Sequence, residues 1–263
     1  MADVLGVLVI GLVAGTLGGL LGIGGGIVLI PFLRFCVGLS PAHAAGTCVV
    51  AVFCTTLSGS YRHHKLGHVD IRSILPVVIA GVIATTIFSF VFLWMAERGR
   101  WLDLGTGLVF CLISARMIIE GLFELRGGGA VPQADTNRMR GSLVHRLAIG
   151  TAGGVLPGLL GIGTGGIMVP AFTLVLKAPI KTAIGCSLTC FAANALISSA
   201  FKYSQGYVDL NVAGPACVGT LAGAYLGATL NRKFPSAGLK MMFGSVFAYV
   251  SLKFMLSFSG VRI

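Results

Sequence analysis

Charge is what this sequence has least of. Only 10% of its 263 residues are Asp, Glu, Lys or Arg and only eight are acidic, against 56% hydrophobic residues and a mean hydropathy of +0.94. Soluble domains carry about 25% charged residues, so that class is excluded and a polytopic membrane protein is expected. The eight acids (Asp3, Asp70, Glu97, Asp103, Glu120, Glu124, Asp135 and Asp209) fall near segment ends or in loops. No carboxylate is therefore expected at the midplane to relay protons or hold sodium. The seven cysteines form no CxxC pair and no Cys/His run, which argues against a metal site or a disulfide framework. No cofactor is expected, and an enzyme is not. No basic cluster precedes the first apolar run, so a cleavable signal is not expected and the N-terminus should be retained.

The formal net charge of +11 comes from Lys and Arg residues in short loops between apolar segments. They form no continuous basic face, so nucleic acid is excluded as a partner. In a membrane protein the pattern is first an orientation signal.

What the sequence has is glycine, and it has it twice over. The stretch Leu20-Leu21-Gly22-Ile23-Gly24-Gly25-Gly26-Ile27-Val28-Leu29-Ile30-Pro31 returns 139 positions later as Leu159-Leu160-Gly161-Ile162-Gly163-Thr164-Gly165-Gly166-Ile167-Met168-Val169-Pro170. Other positions keep the same offset: Gly11 and Gly150, Gly46 and Gly185, Pro76 and Pro215, Gly67-His68-Val69-Asp70 and Gly206-Tyr207-Val208-Asp209. The chain is an internal duplication, as transporter folds commonly are. Residues 1–125 are expected to form a first transmembrane repeat, 126–146 a cytoplasmic linker with glycines and Pro132, and 147–263 a second repeat.

The first apolar stretch of each half is too long for one crossing. Some 32 residues at about 1.5 Å each would reach ~48 Å, against a hydrocarbon core of ~30 Å. One solution crosses once and makes the halves parallel. The other turns back at the glycines, giving three crossings and a hairpin per half and opposite orientations. Loop charges favour the second. With a hairpin, Arg62, Lys65, Arg72, Arg126, Arg138, Arg140, Arg146, Lys177, Lys181, Arg232, Lys233 and Lys240 collect on one side, and Arg34, Arg98, Arg100, Lys202, Lys253 and Arg262 on the other. Cations are enriched on the cytoplasmic side. The expected fold is thus an all-α polytopic membrane helix bundle of two homologous, inverted repeats, each with a broken, re-entrant Gly-rich first segment. Both termini should lie outside.

Short helices are expected from Ile27 to Leu33 and from Gly166 to Leu176. Their free first-turn amides, together with the helix dipole, attract anions. A pseudo-two-fold axis would bring two such ends to one central site made of Gly24, Gly25, Gly26, Gly163, Thr164, Gly165 and Gly166. The following segment adds Thr47 and Cys48 in one half and Cys186 and Ser187 in the other, with Thr55 and Asn194 two turns on. Hydroxyls and thiols can donate to an anion without placing permanent charge in the membrane. The same residues also suit plain helix packing and helix-to-helix hydrogen bonds. Arg116 lies in an apolar segment with Glu120 one turn away, which favours a structural ion pair over a substrate role.

Gly22-x-Gly24-Gly25-Gly26-(x)4-Pro31 followed by Ala45-Gly46-Thr47, and the second copy ending in Gly185-Cys186-Ser187, resemble the TauE/SafE family of membrane permeases over essentially the whole chain. The resemblance implies a bacterial or archaeal inner-membrane carrier of two homologous halves for sulfite, sulfoacetate, thiosulfate or related sulfur anions. Thr164 and Gly166 depart from symmetry, standing where the first half has Gly25 and Ile27. Export is the direction energetics favours, since a divalent anion leaving a cell at about −100 mV gains about 4.6 kcal/mol from the potential alone. A carboxylate transporter or an anion channel would use the same amide donors.

Overall fold

The computed structural model describes residues 4–125, 141–230 and 236–258, and among them every regular element is helical. In chain order these are α1 (Val4–Leu21), α2 (Gly26–Pro31), α3 (Pro41–Lys65), α4 (Ile71–Ala96), α5 (Gly99–Leu125), α6 (Leu143–Leu160), α7 (Gly165–Pro170), α8 (Ile180–Ser204), α9 (Leu210–Leu230) and α10 (Ser236–Phe258). Seven helices (α1, α3, α4, α5, α6, α8 and α9) are long and apolar enough to cross a membrane. Most of the expected linker, residues 126–140, lies outside the described residues. Its last four residues, Leu143 to Arg146, already belong to the first turn of α6.

The duplicated Gly-x-Val-Asp motif is a stop and a start. Gly67 and Gly206 take left-handed backbone (φ 72° and 78°) just past α3 and α8. Their amides bond back to His64 and Tyr203, and those of His68 and Tyr207 to His63 and Lys202. This 6→1 and 5→2 pattern ends a helix with its last carbonyls satisfied. Asp70 then opens α4, its carboxylate accepting from Ser73 N–H (3.2 Å) and the Ser73 hydroxyl (2.6 Å). It is an N-cap.

Helix pairs are set by small residues. Gly11, Gly15 and Gly19 of α1 lie on the backbone at Ala216, Thr220 and Ala224 of α9, so the two run parallel. At the 139-residue offset, Gly150, Gly154 and Gly158 of α6 lie on Val77, Gly81 and Thr85 of α4. A Cβ at any of these glycines would meet the partner's main chain, which is how small residues let membrane helices approach. Two pairs of helices related by the 139-residue offset run antiparallel. In α5 and α10, Ser251 donates to the Gly107 carbonyl (2.8 Å) and Ser114 to the Gly244 carbonyl (2.7 Å). In α3 and α8, Ser60 faces Thr189 (2.7 Å), and Thr56 and Phe191 both face Gly24. Elsewhere α4 turns Leu75, Ile79, Ile83 and Ile87 outward at four-residue spacing, a stripe suited to lipid.

After the glycines the chain doubles back. Arg34, beyond α2, forms a two-pronged pair with Asp103 in the first turns of α5, where Gly99 also meets Pro41 at the start of α3. Tyr207, just before α9, packs on Gly46 near that same end of α3, and α1 begins beside the first half of α9. Arg34 therefore sits at the level from which α1 set out. The return limb is not a plain α-helix. Pro31 and Pro170 each lead into a π-helical turn, Phe32–Cys36 and Ala171–Val175. Proline removes an N–H and crowds the carbonyl four residues back, which favours the wider register seen in Val37 N–H to Phe32 and Leu176 N–H to Ala171.

Candidate functional site

The two glycine turns meet each other. Gly22 to Gly26 and Gly161 to Gly165 are all buried. A Cβ at Gly163 would collide with the Ile23 carbonyl, one at Gly165 with the Gly22 carbonyl, and one at Gly26 would stand 3.0 Å from the Gly163 nitrogen. Only glycine permits this approach of main chain to main chain. In the first turn Gly22, Gly24 and Gly25 adopt positive φ (73°, 79° and 74°). The second turn needs it only at Gly161 (68°), since Thr164 has φ −95°. That is why threonine can replace the glycine there. The first amides of α2 and α7 thus start at a packed, buried junction between the long helices α3 and α8.

The polar residues of α3 and α8 divide by helix face. Cys48 Sγ lies 3.7 Å from the Gly26 carbonyl and the Ser187 hydroxyl donates to the Gly22 carbonyl (3.4 Å), so this counterpart pair touches the junction. Thr47 and Cys186 point elsewhere. Thr47 Oγ1 accepts from Asp209 N–H (3.0 Å) and Cys186 Sγ from Asp70 N–H (3.4 Å), anchoring the Gly-x-Val-Asp loop of the other half. Thr164 Oγ1 contacts Met168 Sδ (3.3 Å). Gly166 is only partly buried, and its carbonyl accepts from Arg116 (2.6 Å), which also pairs with Glu120. Asn194 is buried and its Nδ2 lies 3.5 Å from the Gly153 carbonyl, the acceptor that Pro157 leaves without its helical donor.

Three features escape a linear reading. Phe191 lays its ring against Gly24 and Gly163 and forms one wall of the junction. Lys202, expected in a loop, is instead fully buried within α8. Its ammonium donates to the carbonyls of Pro157 (2.7 Å) and Gly158 (3.1 Å) and to Ser198 (3.1 Å), and lies 4.5 Å from the Phe92 ring centre. It caps the C-terminal end of α6, where a cation suits both the orphan carbonyls and the dipole. Its repeat counterpart, His63, is 1% exposed beside the end of α1. The offset itself carried that signal, since it pairs a basic residue with a basic residue. Asp103 is the third, an acid 3% exposed that holds Arg34 and the Ser257 hydroxyl (3.0 Å) inside the bundle.

Seven long apolar helices, paired broken segments and a junction of helix starts define a multi-pass membrane protein of the transporter class. The comparison with protein families agrees: the model for "Sulfite exporter TauE/SafE" matches residues 7–254. The chain belongs to that family. It is 30% identical to a "Probable membrane transporter protein" of Xylella fastidiosa, over 89% of this chain and 88% of the relative. It is 28% identical to the "Probable membrane transporter protein YunE" of Bacillus subtilis, over 89% and 90%. A Methanocaldococcus jannaschii protein described in the same words is 24% identical over 93% and 92%. No solved structure matches.

Proposed function

We propose that this transporter exports a small sulfur-containing anion such as sulfite, thiosulfate or an organosulfonate across the bacterial or archaeal inner membrane. The observation that carries the reading is the junction itself, where two helix starts, α2 and α7, are brought together between α3 and α8. A slight separation of the two turns would bare main-chain amides to an anion with no permanent charge nearby. Cys48 and Ser187 stand at its edge as further donors.

The antiparallel packing of α3 with α8 and of α5 with α10 supports inverted repeats, because only an axis lying across those helices exchanges them. Residues 1–125 and 147–263 would then rock against each other around the junction in alternating access. The linker would be cytoplasmic and both chain ends outside. The sulfur-anion assignment leans on the family's description. A carboxylate would find the same amides, so the substrate class is decided by flux. Purified protein in proteoliposomes should move sulfite, thiosulfate or a sulfonate saturably and in preference to short carboxylates. Preference for the carboxylates would overturn the assignment.

A further inference from the structure

Apart from the buried junction lies an open basic cleft. It offers about 140 Å³ between the end of α3, the loop after it and the first turn of α8, and Arg62, His63, His68, Lys181 and Thr229 line it. Among the described residues no carboxylate lines it. Arg62 is held at the rim, with Nε donating to Thr229 (3.3 Å) and the guanidinium 5.4 Å from the Tyr225 ring centre. Lys181 lies in the first turn of α8, a 25-residue helix whose start has no side-chain cap. Helix dipole and side-chain charge therefore point the same way.

The decisive group is His63. It is 1% exposed, its Nδ1 is 3.4 Å from His68 Nδ1, and its Nε2 has no hydrogen-bond partner. The Gly19 backbone lies within reach of the ring. A buried polar nitrogen left unpaired is costly, which is why native structures rarely keep one without a ligand or a water.

The opposite face shows what the closed arrangement looks like. The repeat counterparts of Arg62, His63 and His68 are Phe201, Lys202 and Tyr207. There Phe201 packs on Phe90 and Tyr207 on Phe92, while Lys202 is held by carbonyls. Lys181 and Ser187 are six residues apart on α8, about 9 Å along the helix, and Ser187 touches Gly22.

We infer that this cleft is the loading site for the substrate, binding a small divalent oxyanion between Arg62, His63 and Lys181 before it reaches the glycine turns. The inference rests on the anion-carrier reading above. It is tested on full-length protein in vesicles of zwitterionic lipid only, with thiosulfate as probe, comparing wild type with the double variant Arg62→Gln/Lys181→Gln and with Arg72→Gln, an exposed charge outside the cleft. The double variant should raise KM about tenfold or more with kcat nearly kept, as loss of charge-assisted hydrogen bonds predicts, and Arg72→Gln should change neither. An unchanged KM in the double variant overturns the loading site. So does a defect that appears only when anionic lipid is added, which would mark a headgroup site. Calorimetric titration of the purified proteins with thiosulfate separates the two readings. If wild type binds but shows no flux and the double variant does not bind, the carrier reading falls and the cleft stands. If both bind alike, the cleft falls.

Discussion

At the scale of single residues, Lys202 and Gly165 carry the most weight. Removing the Lys202 ammonium takes the lysine donor from the buried Gly158 carbonyl and leaves the Pro157 carbonyl with the Ser198 hydroxyl, so Lys202→Met should cost about 1–3 kcal/mol of stability. Denaturation in detergent measures it, and Tyr203→Met, at the exposed neighbour, should change little. Gly165 is a positional requirement rather than a chemical one. A side chain there would drive the two turns apart at the Gly22 carbonyl, so Gly165→Leu or Gly25→Leu should abolish transport in protein that still inserts and purifies. Unchanged flux would contradict the backbone site. Replacing Cys48, Cys186 and Cys190 together by serine should leave flux intact, and its loss would point to thiol chemistry in transport. The sequence identified the polar pairs of α3 and α8 but not their direction. Adjacent helical residues differ by about 100° around the axis, and spacing alone does not say which of 47 or 48 faces inward. Cys48 and Ser187 reach the junction, while Thr47 and Cys186 secure loops.

At the scale of elements, the return limb of the first hairpin is latched by the Arg34–Asp103 pair, which joins the π-helical turn to α5. Asp103 is 3% exposed, so Asp103→Asn alone leaves a guanidinium facing a neutral amide inside the bundle. Breaking one side of such a pair is more disruptive than removing both. A double-mutant cycle with Arg34→Gln should therefore show coupling of about 0.5–3 kcal/mol, with the double variant more stable than Asp103→Asn. Additive effects would mean that the limb is held by apolar packing alone. Helix extents were legible because apolar runs, Gly67, Gly206 and the N-capping Asp70 are local signals. The π-helical turns and the depth of Asp103 were not. Both follow from how a proline-ended limb is seated against a helix some 70 residues away in the chain.

At the scale of the whole molecule, the duplication was plain from the 139-residue offset, and the contacts repeat at that spacing: α1 on α9 as α6 on α4. Loop charge could suggest an orientation but not the pairing of distant helices, since charge statistics see only ends. The proposed inverted arrangement makes a direct forecast. Reporters inserted after Pro132 and fused after Ile263 should appear on opposite sides of the membrane, cytoplasmic for the first and external for the second. The same side for both would favour parallel halves with single-crossing first segments. The central claim, that a small sulfur-containing anion is carried at the junction of two glycine turns, is tested most directly by flux in proteoliposomes. Wild type and Gly165→Leu would be compared with sulfite, thiosulfate, a short sulfonate, sulfate and short carboxylates. The account predicts saturable flux of at least one of the first three, in preference to carboxylates and absent in the variant. Unsaturable flux, preference for carboxylates, or equal flux in the variant would contradict it.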